Sequence, residues 1–163
     1  MAEFRNIHTR IWKDEWFSNL PIDAKLLFVY LFSNERASVC GMYELPIKFI
    51  AFETGLDAAR IAEMLQGFEQ DQKVYYRDGV VWVVNLRKYN ETSSGKVYGR
   101  IVKDIDSVPD GWVKEQYCKA YGIPYQYPIN TRQQTLDTHP ENSSETETET
   151  LYIETETETE TET

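Results

Sequence analysis

Cysteine and histidine are nearly missing from this chain, with two of each in 163 residues. Cys40 and Cys118 stand far apart without the paired spacing of a zinc site, and two cysteines make no secreted disulfide framework. Reduced thiols in a cytosol are the expectation. His8 and His139 fall in an N-terminal arm and in the C-terminal tail, so neither supports a nucleophile or a metal. Long apolar runs are missing too. The longest, Leu26 to Phe32, is far too short to cross a bilayer, and Met1-Ala2-Glu3-Phe4-Arg5 carries no cleavage signature. A cytoplasmic protein with no membrane partner follows as the expectation.

Positive charge is missing from the end of the chain. All 17 Lys and Arg precede Gln133, whereas nine of the 27 acids lie from Glu141 onward. The formal net charge of -10 therefore belongs to the tail, and residues 1 to 140 are close to neutral with 17 basic and 18 acidic groups. Catalytic patterns are also lacking. There is no H-E-x-x-H, C-x-x-C, G-x-S-x-G or phosphate loop, and Gly95-Lys96 is followed by Val97 rather than by Ser or Thr. Asp14-Glu15 and Asp104/Asp106 read as solvated charges rather than general acid–base pairs, because nothing in the sequence buries them. No enzyme and no cofactor are expected.

What the chain does contain is aromatic: 13% of its residues, enough for a packed core. Three zones separate by composition. Residues 1–90 are dense in apolar side chains. Residues 91–122 open with Glu91-Thr92-Ser93-Ser94-Gly95 and form a lightly basic extension with helices expected over Val97 to Ile105 and Trp112 to Tyr121. Residues 123–163 end in alternating Glu and Thr, which present no apolar face and repel one another, so a disordered acidic tail is expected.

Within 1–90 the elements follow in a clear order. A helix starts at Pro21-Ile22-Asp23, with Asp23 near its positive end; Leu26, Leu27, Tyr30 and Leu31 make one stripe, widened by Phe28 and Phe32. That width predicts burial on most sides. Gly41-Met42-Tyr43-Glu44 is extended, and Pro46 suits the first turn of a helix that buries Ile47, Ile50 and Ala51 and stops at Gly55. After a tight turn, Asp57 is placed to cap a helix from Ala58 to about Asp71, with Ile61, Met64, Leu65 and Phe68 on one side. The period then changes to strand. Val74 to Arg77 and Val80 to Val84 flank Asp78-Gly79, a strong hairpin signal. Helix, turn, helix and hairpin in this order predict an α+β fold, a winged helix-turn-helix domain.

In such a motif the second helix enters the major groove of double-stranded DNA. The candidates there are Arg60 and Gln66, opposed by Glu63, Glu69 and Asp71. Lys48 on the preceding helix, Lys73 and Arg77 on the hairpin, and Arg87 and Lys88 just after it are further candidates. Arg5, Arg10 and Lys13 form a basic arm. Each is weighed against an ordinary solvated surface charge. Trp12, Trp16 and Phe17 are expected in the core rather than as base-stacking platforms.

These stretches together resemble phage and prophage replication proteins with an N-terminal winged helix, the replisome-organiser or DnaD-like class. The resemblance lies in Arg10-Ile11-Trp12, Trp16-Phe17, Leu20-Pro21-Ile22-Asp23-Ala24-Lys25-Leu26-Leu27-Phe28, Cys40-Gly41-Met42-Tyr43, Thr54-Gly55-Leu56 and Val83-Val84-Asn85-Leu86-Arg87-Lys88-Tyr89-Asn90. It covers roughly residues 4 to 128, including Gly122-Ile123-Pro124-Tyr125 and Tyr127-Pro128. It implies origin binding during phage DNA replication in a bacterial host, with recruitment of a replicative helicase or its loader. Nothing after Gly122 resembles a folded helicase-interacting domain. A protein–protein interaction module, such as a homodimer, and a transcriptional regulator of the same fold are the alternatives.

Overall fold

Val80–Val83 holds no polar side chain, and a strand of that kind needs apolar cover on both of its faces. The computed structural model, which describes residues 5–90 and 95–125, provides it. The architecture is α+β. Three antiparallel strands, β1 (Met42–Glu44), β2 (Val74–Arg77) and β3 (Val80–Val83), lie in the order β1-β3-β2. Around them stand α1 (Glu15–Ser18), α2 (Ile22–Ser33), α3 (Ile47–Thr54), α4 (Ala58–Gln70), α5 (Leu86–Asn90), α6 (Gly95–Ser107) and α7 (Trp112–Ala120). A 3-10 turn, Thr9–Lys13, precedes α1.

The period of two along each strand sorts the side chains into two cores. Tyr43, Val74, Val81 and Val83 point to one face, where they meet Leu27 and Leu31 of α2, Ile50 of α3, and Ile61, Leu65 and Phe68 of α4. Met42, Val80 and Trp82 point to the other, where Ile101 and Ile105 of α6 and Val113, Tyr117 and Cys118 of α7 cover them. Trp82 sits opposite both Met42 and Tyr75 in the ladder, stacks on the Tyr75 ring at 5.0 Å and meets Tyr117 edge-on at 5.4 Å. Each such fully buried large side chain contributes roughly 1.5–3 kcal/mol. The 95–125 segment is thus the second wall of the sheet.

Local signals explain the boundaries. The Asp57 carboxylate caps α4 by accepting from the Ala59 and Arg60 amides at 2.9 and 3.2 Å. Gly55 ends α3 in the left-handed region, φ 73°. Asp78 and Gly79 both have positive φ, 51° and 78°, the backbone that a two-residue hairpin turn requires.

Four expectations need correction or restriction. The helix α2 buries only Ala24, Leu27 and Leu31; Ile22 is 86% exposed and Leu26 also faces outward, since cover comes from one side only. Trp12 is 64% exposed, while Trp16 and Phe17 pack as expected. Pro21 and Pro46 stand just before α2 and α3 rather than within their first turns. Of the tail expected over 123–163, Ile123 and Tyr125 pack against the second core and the Tyr125 hydroxyl donates to Asp110 at 3.0 Å; residues 126–163 and the polar stretch 91–94 lie outside the described residues.

Candidate nucleic-acid interface

The outer side of α4 is where the sequence pattern directs attention, and its charges are largely spoken for. The Arg60 guanidinium lies between two carboxylates, Nε to Asp23 of α2 at 2.7 Å and Nη1 to Glu63 at 2.8 Å. Asp23, expected only as a helix-end charge, is therefore the tie between the N-terminal ends of α2 and α4. The hydrogen bond from Arg60 holds its carboxyl below the usual carboxylate range, and the same bond holds Arg60 protonated. Gln66 is exposed on the same helix.

The acids of α4 have structural work. Asp57 is the cap, and Asp71 accepts from the Trp16 indole at 2.7 Å. Glu69 receives both terminal nitrogens of Arg77, at 2.6 and 2.8 Å, a fork that joins α4 to β2. The Arg77 guanidinium also lies over the Trp112 ring at 4.9 Å. Glu63 pairs with Arg60, and its side chain is 70% exposed.

The other candidates divide into struts and free surface. Arg87 reaches the Tyr117 hydroxyl at 3.3 Å and lies 4.3 Å from the Tyr121 ring centre, so it ties α5 to α7. Lys73 lies over the Trp16 ring at 5.0 Å. Lys48 is exposed above its neighbour Phe49, and Lys88 and Arg10 are exposed. The Arg5 guanidinium donates to the Ala37 carbonyl, which anchors the arm to the loop between α2 and β1.

Sequence reasoning missed that loop as a meeting point. Besides Arg5, it receives the Asn90 amide on the Val39 carbonyl at 3.3 Å, and the Val39 amide donates to Asp104 of α6 at 2.8 Å. Asp104 in turn accepts from Arg100 at 2.9 Å. The His8 ring stands 6.4 Å from that of Tyr89. Contacts so distant along the chain leave no local signature.

Two cysteine thiols complete the inventory. Cys40 and Cys118 are buried and unoxidised, and burial pushes both thiols up, away from the reactive thiolate. Among the described residues no group of three or more His, Cys, Asp or Glu is arranged to hold a metal ion. No described helix is long and apolar enough to cross a membrane. No family model matches this chain, and no curated protein or solved structure matches it.

Proposed function

We propose that the chain is a winged-helix DNA-binding protein without catalytic activity, acting at the initiation of phage DNA replication by binding the origin and recruiting a helicase or its loader. The observation that carries this reading is the succession α3, a turn capped by Asp57, α4 and the β2–β3 hairpin, which is the order of a helix-turn-helix with a wing. Gln66 is the exposed polar side chain on α4 suited to a base edge. Arg60 and Arg77 reach phosphate only by exchanging carboxylate partners, so their contribution to affinity is smaller than that of unpaired cations.

The experiment is a fluorescence-anisotropy titration of the full chain with duplex DNA over a salt series. Binding is expected at low salt, with an affinity that falls about tenfold or more between 50 and 200 mM salt, as counterion release requires. Absent or salt-independent binding would sink the reading. A second reading, a protein-interaction module, is favoured by one observation: Ile22, Leu26 and Phe52 stand exposed on α2 and α3, with Phe52 at 87%.

A further inference from the structure

The side of α4 turned away from the core carries a row of exposed residues, Ala59, Glu63, Gln66 and Gln70, at i, i+4, i+7 and i+11. The row holds no cation. Two of its members are amides, and a glutamine amide can hydrogen-bond an adenine edge through both of its polar atoms. Such a face suits bases and offers nothing to phosphate. The one cation of α4, Arg60, lies beside this row and is held from two directions.

Arg60 Nε donates to Asp23 of α2 at 2.7 Å, and its Nη1 donates to Glu63 at 2.8 Å. Two carboxylates thus surround one guanidinium, and the trio is net negative. Part-exposed pairs of this kind contribute little to stability; the Arg60 and Asp23 side chains are 39% and 26% exposed. Their effect on an approaching anion is larger. A phosphate that reaches Arg60 has to displace one carboxylate and stand close to both. Sequence-independent DNA binding is almost wholly phosphate neutralisation, so it is the mode that this trio opposes. Hydrogen bonds from Gln66 and Gln70 to base edges involve no charge on the protein.

We propose that Asp23 is a specificity-determining residue: it holds Arg60 back from the phosphates of arbitrary duplex DNA and yields it only where base contacts by Gln66 and Gln70 offset the exchange. The inference rests on the duplex-binding reading above and adds to it a residue of α2, outside the α3–turn–α4 unit. Discrimination of this kind comes from weakening the wrong complex rather than from strengthening the right one. The substitution that separates the two is conservative. Asp23 Oδ1 accepts from the Ala24 amide at 2.9 Å while Oδ2 takes Arg60, so Asn keeps the first bond and turns an amide NH2 toward the guanidinium.

The test uses the full chain and a labelled duplex of mixed sequence, about 20 base pairs long, over a salt series. Asp23→Asn is expected to bind it roughly fivefold more tightly than the wild type and to steepen the slope against log salt by about 0.9, one phosphate contact. Arg60→Gln alone is expected to change little, and Asp23→Asn/Arg60→Gln to lose the gain. Glu35→Gln makes the same change in net charge beyond the far end of α2 and is expected to bind like the wild type. Thermal melts establish that each variant is folded. Asp23→Asn that binds no more tightly than a wild type which does bind overturns the proposal and leaves the duplex reading standing. A gain that Glu35→Gln reproduces, or that survives Arg60→Gln, also overturns it, since net charge alone then suffices. No duplex binding by the wild type or by Asp23→Asn overturns both.

Discussion

Gly41 is the residue with the least room for change. Its φ of +85° lies in the left-handed region, and an added Cβ would come within 2.9 Å of the Val83 carbonyl oxygen and 3.0 Å of Leu86 Cβ. The close approach is what lets β1 join β3, since the Val83 amide donates to the Gly41 carbonyl at 2.9 Å. Gly41→Ala is expected to cost about 2 kcal/mol or more from strain and displaced backbone. Chemical unfolding measures it, and a loss within experimental error of zero would show that the turn tolerates a side chain. Tyr43, two residues on, illustrates a different constraint. Its hydroxyl binds the Leu31 carbonyl and the Asn34 amide, and burial pushes it above the ordinary tyrosine range. That raised value favours the neutral phenol, so the stability it lends is present below pH about 10 and is lost as pH rises through the folded-state value.

At the scale of elements, the decisive relation is between β3 and the α6–α7 pair. The sequence shows Val80 to Val84 as an unbroken apolar run, the mark of a strand covered on both faces. Only one cover, the helices before it, is legible from that local pattern. The second comes from residues 95–125, whose helices are visible in the sequence but whose docking partner is not. Ile101 and Tyr117 meet Trp82 through the fold, and such contacts leave no periodic trace. A chain ending at Asn90 is therefore expected to expose Met42, Val80 and Trp82, to bind a dye such as ANS, and to melt lower than the full chain. Equal melting temperatures would mean that the helix-side core suffices.

For the whole molecule, the question is how the charged and apolar surfaces are shared out. Near α4, Arg60 pairs with Asp23 and Glu63, and Arg77 with Glu69. The exposed apolar residues Ile22, Leu26 and Phe52 lie on α2 and α3 instead. If self-association uses that face, light scattering of the full chain shows a dimer that Ile22→Gln/Phe52→Gln returns to monomer. A strict monomer at high concentration counts against the interaction-module reading.

The boundaries of the helices, the hairpin and its turn were determined by the sequence itself, because caps, periodicity and Asp78-Gly79 act between residues near in the chain. The same holds for the absence of catalytic patterns and for the acidity of residues 141–163. Tertiary structure alone decided which cations are occupied. Arg60 and Arg77 are prominent in the sequence, and both are held by carboxylates, Asp23 and Glu69, that local spacing does not pair with them. Asp104 is inconspicuous in the sequence, and only the fold turns it inward to the Val39 amide. The reason is range. Helix and turn signals extend over about four residues, whereas a charged side chain's partner is set by whichever element the packed core brings beside it.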